Sequence, residues 1–429
     1  MLRFLVLLCL LLFVICPILL FYAIVEPSPA VPVRTPSAAA DATRTRGLFR
    51  EFRALTEAEG AAKQIKITQS DMDSVMAFAM RALPFMRGQA RLVQDAALLA
   101  ISADASQIPG GGWLNLRIKI DEFDSGLKLG SVRLGPLSLP AALVLPLVGS
   151  VLDIVLGDNL GQVAIKSIDG VSIKNRTLTL GVGLTRDDRK ALAKRAKDTV
   201  RTAAQISATN DVRSYTLALH GAAKDGFIQP HGSAFSFLSY AMTLANDRAK
   251  DGDLSKEIQS ALHALAIYCG HVKYQNLTGD VVPRDMWRSL TGCSMATMAG
   301  RRDLRQHFFI SAGLQAASDA NFAFTIGEFK ELLDSNRGGS GFSFDDLAAD
   351  RAGIRLAKKL LSATVAEMPS ILARLRQEKD VFPKIAGLPS GLSERDFLQR
   401  YGDVDSSAYK RMLAKIEQRI DGLTLYAPQ

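Results

Sequence analysis

The spacing of apolar residues changes several times along the chain, and each change marks a different kind of element. Phe4 to Val25 is an unbroken apolar run without a charge, long enough to cross a bilayer as a helix. Residues 26 to 45, rich in Pro, Ala, Ser and Thr, read as an extended tether. Arg46 to Gln64 is helix-like and Ile65 to Ile67 a short strand. Thr68-Gln-Ser-Asp71 then supplies cap residues for a helix carrying Met72, Val75, Met76, Ala79 and Leu83 at helical spacing. From Ala90 the period becomes two. Arg91 to Ser102 reads as one buried strand, and Leu114, Leu116, Ile118 and Ile120 alternate with Asn115, Arg117, Lys119 and Asp121, the pattern of a sheet with one wet face. Leu127 to Leu139 continues as a strand. Pro140 to Leu156 is apolar but interrupted by Pro146, Gly149 and Asp153, which predicts a helix buried on the sheet and not a second span. Val163 to Ile168 and Val171 to Leu184 pair as a hairpin through Asp169-Gly170.

Beyond Leu184 strand signals nearly vanish. Helices are expected over 186–206, 231–248, 254–268, 301–319, 322–334, 343–378 and 405–421, with loops over 221–230 and 270–284. Ser393-Glu-Arg-Asp396 has the form of a capping box. The fold class is therefore α+β in four parts: a transmembrane anchor over 1–25, the tether over 26–45, an α+β domain with a curved antiparallel sheet over 46–184, and a mostly α-helical domain over 185–429. A chain of 429 residues has room for two such cores.

Charge adds topology. Arg3 and the amino terminus precede the apolar run, which favours the N-terminus inside and the bulk of the chain outside a bacterial-type inner membrane, in the periplasm. An alternative is a cleaved signal peptide, since 27–42 offers small-residue sites. The net charge of +9 includes Arg186 to Arg201, with seven basic and three acidic residues: a solvated helix face, or a surface for anionic headgroups. No nucleic-acid motif accompanies the charge, so nucleic acid is not an expected partner. Cys9 and Cys16 lie in the anchor, leaving Cys269 and Cys293 as a pair that an oxidising compartment would join, or else as two buried thiols.

The first domain resembles membrane-anchored bacterial domains described as lipid-binding-like, through Ile67-Thr-Gln-Ser-Asp-Met72 and Gly135-Pro-Leu-Ser-Leu-Pro140. That resemblance implies a hydrophobic groove between helix and sheet, with membrane lipid as a partner.

The densest polar grouping lies between Arg301 and Lys358. Asp303 lies beside His307, Glu331 beside Gly327 and Asp334, and Asp346 beside Asp350, each set on one helix face among strongly apolar neighbours, with Lys330 next to Glu331 in the chain. Three successive helices would converge on one polar centre, with Gly341 permitting a tight turn and Gly353 close helix packing. The order of these residues, with Gly327, Ser343 and Gly353, resembles small periplasmic lipoproteins of unknown function and is more loosely similar to VanZ-like membrane proteins linked to glycopeptide resistance; Leu304 departs from the Lys usual there. Neither resemblance carries a reaction.

Three readings of the cluster remain open. His307, Glu331, Asp346 and Asp350 are suitable ligands for a divalent metal that would generate hydroxide for ester or phosphoester hydrolysis. Without a metal, His307 oriented by Asp303 would act as general base, with Lys330 steadying an anion. Otherwise Lys330, Arg351 and Arg355 pair with the carboxylates in a buried network that fixes helix packing. No nucleophile elbow, phosphate loop, His-Glu-x-x-His or dinucleotide fingerprint is present. His220, His231, His263 and His271 read as ordinary surface or core histidines. The expectation is an inner-membrane-anchored periplasmic protein with a binding or scaffold role in envelope maintenance, its partners being membrane lipid and other envelope proteins or cell-wall polymer; the alternative is a metal-dependent hydrolase acting on lipid or cell-wall material.

Overall fold

The computed structural model describes residues 22–31, 41–42, 44–45, 47–48, 51, 63–83, 85–123, 128–140, 144, 165, 168–183, 209–249, 253–278, 281–283, 286, 290, 292–317 and 341–427. The chain divides into two compact units, 1–37 with 43–196 and 38–42 with 197–429. It is α+β, with antiparallel sheets in the first unit and helices dominating the second.

In the first unit β1 (Val25–Glu26), β2 (Lys63–Thr68), β3 (Met86–Val93), β4 (Ala96–Asp104), β5 (Trp113–Asp121), β6 (Leu129–Leu134), β7 (Leu137–Leu139), β8 (Ile168–Lys174) and β9 (Thr177–Val182) form two sheets. One has the order β3-β4-β5-β6-β7 with β1 on β5, the other β2-β9-β8. Helix α1 (Gln69–Ala82) opens on a capping box in which Thr68 accepts from the Asp71 N–H and the Asp71 carboxylate accepts from the Thr68 N–H. Gln69 then acts as a short extension of the sheet: its amide donates to Ala90 O at 2.8 Å and accepts from Leu92 N at 2.6 Å.

Two expected single strands are hairpins. Arg91 to Ser102 folds back through Gln94-Asp95, with Asp95 at φ 62°, and the Leu127 to Leu139 stretch folds back through Gly135-Pro136, with Gly135 at φ 57°. The β8–β9 turn is Asn175-Arg176, both at positive φ, and not Asp169-Gly170, which lies at a shift of register. A two-residue hairpin turn needs this left-handed geometry, and Asn adopts it readily. Of Pro140 to Leu156, where a buried helix was expected, all but residues 140 and 144 lie outside the described residues.

The end of the apolar run also differs from a free tether. Tyr22–Ile24 is helical, Val25 pairs with Leu114 and Glu26 with Trp113, and the chain continues onto the polar face of the sheet. Ala30 N donates to Asn115 Oδ1 at 2.9 Å and Val31 N to Ser102 Oγ at 3.1 Å. These buried acceptors hold residues 25–31 down as part of the fold. No helix among the described residues is long and apolar enough to cross a membrane, and residues 1–21 lie outside them. At Gly88 the helix–sheet interface is filled: a Cβ there would lie 2.1 Å from Met76 Cε and 2.9 Å from Met80 Sδ. The groove implied by the lipid-binding-like resemblance is closed at that point.

In the second unit α2 (Thr209–Lys224), α3 (Phe235–Arg248), α4 (Leu254–Leu265), α5 (Gln275–Thr278), α6 (Arg302–Ala317), α7 (Phe344–Leu361), α8 (Met368–Arg374), α9 (Glu394–Tyr401) and α10 (Ser407–Asp421) surround one core, with β10 (Gly232–Ser233) and β11 (Ala296–Thr297) as a small parallel pair. The helix α2 was not expected, although Val212, Tyr215, Leu219 and Ala222 recur at helical spacing and are all buried. The expected helix over 343–378 is broken after Leu361. Expected helices over 186–206 and 322–334 lie outside the described residues.

Cys269 and Cys293 form a disulfide, both sulfurs buried, joining the π-helical turn after α4 to the loop that leads into α6. The bond closes a loop of 24 residues. By chain entropy such a closure stabilises by about 2–4 kcal/mol. Replacing both cysteines by alanine is expected to lower the midpoint of thermal unfolding by roughly 5–15 °C. An unchanged midpoint would show that the bond constrains nothing.

Candidate functional site

The polar centre is built where α6 and α7 lie side by side. Their faces are assembled from Phe308, Phe309 and Ala312 on one helix and Leu347, Ala348, Ala349, Ala352 and Leu356 on the other, all fully buried. Small residues bring the backbones together, and Gly353 sets the limit: a Cβ there would stand 2.1 Å from Phe308 O and 3.1 Å from Ala312 N. The start of α7 is fixed separately. Phe342 pairs with Leu392, Gly391 N donates to Ser343 Oγ at 3.1 Å, and Gly341 (φ 90°) presses against the Gly391 backbone, where no side chain would fit. Phe342, Phe344, Phe397, Tyr401 and Tyr409 pack as an aromatic cluster beside it.

That frame brings together three of the expected residues, His307, Asp346 and Asp350, and Arg301 ties a fourth, Asp303, to them. His307 Nδ1 lies 3.1 Å from Asp350 Oδ1 and its Nε2 lies 3.5 Å from Asp346 Oδ2. The imidazole therefore spans two carboxylates of successive turns of α7, both almost fully buried. Ser311, one turn along α6 from His307, donates to Asp350 Oδ1 at 2.6 Å. Asp303 does not orient the imidazole. It sits in the first turn of α6, half exposed, and takes the guanidinium of Arg301, whose hydrogen bond holds it below the usual carboxylate range. Arg301 also binds Asp345 and reaches Asp346 at 3.3 Å. These carboxylates, Asp303 foremost, hold its guanidinium more firmly charged than usual.

Lys330 and Glu331 lie outside the described residues, as does the expected middle helix. Arg351 and Arg355 turn away from the cluster and pair with Glu417 and Asp421 of α10. The cation of the network is Arg301, which spacing within α6 did not single out because it precedes the helix by one residue. Asp345 and Ser311 were likewise missed, though Ser311 shares the His307 face at i+4.

The direction of the helices explains why so many acids gather here. Arg301 meets Asp345, His307 meets Asp350, and Phe308 with Ala312 meets Gly353, so α6 and α7 run the same way. Both N-termini, each with its partial positive charge, then lie at one end, and Asp303, Asp345 and Asp346 occupy the first turns. Asp350 is deeper and has no such support. Its Oδ2 is buried without a hydrogen-bond partner.

Chemically the arrangement is a clamp. The ring nitrogens of His307 point at carboxylate oxygens, and Ser311 donates to Asp350 and so is not presented to the imidazole as a nucleophile. Among the described residues no three His, Cys, Asp or Glu side chains are disposed as a metal-holding group.

Of the other histidines, His263 is fully buried, with Nδ1 2.9 Å from the Tyr274 hydroxyl and Nε2 without a partner. Burial pushes its pKa down to about 3. In the unfolded chain the same group takes up a proton near pH 6.5. Below that pH the unfolded state binds one proton more than the folded state, so stability falls as pH drops from about 6.5 towards 3. Unfolding free energy against pH is expected to be steeper in the native protein than in His263→Gln, by up to about 1.4 kcal/mol per pH unit in this window. Parallel curves would mean that His263 is charged in the folded state.

No family model, curated protein or solved structure matches this chain, so its function rests on the geometry alone.

Proposed function

We propose that the protein is a component of the bacterial envelope, anchored in the inner membrane by Phe4 to Val25, with both folded units in the periplasm and a binding or scaffold role in envelope maintenance. The observation that carries the compartment is the Cys269–Cys293 disulfide, because such bonds persist where the redox environment is oxidising. The uncharged apolar run and the Arg3 that precedes it supply the membrane and the orientation. The scaffold role is supported by the way Arg301, His307 and Ser311 are taken up by the carboxylates of α7 and Asp303, which joins the two helices. Membrane lipid is the partner that the anchor brings nearest; other envelope proteins or cell-wall polymer are further partners.

A second reading has one observation in its favour. Four carboxylates, Asp303, Asp345, Asp346 and Asp350, gather around Arg301 and His307, and the buried Asp350 Oδ2 has no hydrogen-bond partner. A divalent metal held with Glu331 would balance that charge and serve a hydrolase acting on lipid or cell-wall material.

One preparation separates the two. The full chain, tagged at its C-terminus and expressed in a Gram-negative host, is expected to resist carbonate extraction, to expose the tag to protease added to spheroplasts, and to hold no stoichiometric divalent metal. Cytosolic tag or soluble chain would overturn the envelope reading. Bound metal lost in Asp350→Ala with the fold intact would overturn the scaffold in favour of the hydrolase.

A further inference from the structure

The strand alternation that buries one face of the large sheet gathers cations on the other. Gln89 and Arg91 of β3, Arg117 and Lys119 of β5, and Ser131 and Arg133 of β6 share this face, and register sets Arg117 directly opposite Arg133 and Lys119 opposite Ser131. Like charges in directly opposed positions destabilise a sheet. Only part of that repulsion is met within the fold. Glu26 binds Arg117 at 3.0 Å, and Lys119 binds Asp121 at 2.7 Å. Burial alone would raise the Glu26 pKa, but Arg117, Asn115 and the more distant Arg133 outweigh it and hold the carboxylate charged. Arg91 and Arg133 have no hydrogen-bond or ion-pair partner among the described residues.

These six residues line a cleft of about 480 Å³ whose wall contains four cations and no carboxylate. Its volume is that of a small-ligand site. Three of the cations are arginines, whose planar forks suit the paired oxygens of a phosphate. The apolar side chain of Leu98 is exposed in the same wall.

The position of the cleft indicates where the phosphate comes from. Segment 25–31, which ends the apolar run, lies on this face, and Ala30 lines the cleft. At about 3.4 Å per residue, Arg117 is roughly 14 Å along β5 from Trp113, the partner of Glu26. The same end of the sheet exposes Tyr22, Phe85 and Ile108, with the Tyr22 hydroxyl donating to Pro109 O at 2.7 Å and Phe85 O accepting from Asp104 N. Aromatic and apolar side chains at the mouth of an anchor are the usual contacts with a bilayer interface. Resting on the membrane-anchored reading above, we infer that this cleft binds the phosphate headgroup of an anionic membrane lipid, with the sheet edge apposed to the bilayer. Lipid is thus taken up on the polar face of the sheet and not between helix and sheet.

The test uses the full chain in nonionic detergent, titrated with short-chain phosphatidylglycerol and followed by native mass spectrometry. Saturable binding is expected, weakened at least tenfold in Arg91→Gln/Arg133→Gln, where two cations that each contribute substantially to headgroup attraction are lost. Lys119→Gln is expected to weaken it less, because Asp121 already engages that ammonium. Phosphatidylcholine should bind at least tenfold more weakly than phosphatidylglycerol. Equal affinity of the double variant for phosphatidylglycerol would overturn the assignment of the cleft. Inorganic phosphate or glycerol phosphate binding as tightly as the lipid would overturn its membrane source. Both outcomes leave the carbonate-extraction result untouched, so failure of the cleft is distinguishable from failure of the anchor.

Discussion

The contact between Gly353 and the α6 backbone governs the polar centre of this protein. With hydrogen in place of a side chain, α7 comes close enough to Phe308 O and Ala312 N that His307 and Ser311 reach the carboxylate of Asp350. Added separation of even an ångström would turn those contacts into ones too long for hydrogen bonds. A buried carboxylate without partners is costly, so the packing of two apolar faces and the pairing of the acids stand or fall together. The aromatic cluster at Phe342 and Phe344 serves the same end by fixing where α7 begins.

Much of this was legible in the chain. The helix N-caps at Thr68 and Ser393, the alternation of β5, the break between a sheet-rich and a helix-rich half, and the close approach at Gly353 each follow from local rules that tertiary packing did not override. What escaped depends on pairing between elements. Spacing within α6 puts Asp303 and His307 on one face, but which carboxylate meets the imidazole depends on the stagger and direction of α7, and that selects Asp350. Arg301 lies outside the helical repeat altogether. The missed hairpin at Gln94-Asp95 and the misplaced turn at Asn175-Arg176 both use left-handed backbone without the glycine that usually advertises it.

The first unit turns on a different constraint. Its sheet has an apolar face that α1 covers tightly at Gly88 and a polar face on which segment 25–31 lies. A stretch that composition marks as a tether is held because Asn115 and Ser102 are buried and need donors. Tyr22 to Val25, the described end of the apolar run, leads directly into the pairing with β5, and the cationic cleft lies on the same face as segment 25–31. The proposed anchor, the cationic cleft and the Cys269–Cys293 disulfide are mutually consistent with the envelope setting proposed above.

The claim at the centre of this picture is that His307 and Asp350 hold α6 to α7. A double-mutant cycle of unfolding free energies over the native protein, His307→Ala, Asp350→Ala and the combined variant measures that link directly. A coupling of about 1–3 kcal/mol is expected for a buried pair of this kind. Additive losses, with coupling near zero, would contradict the clamp.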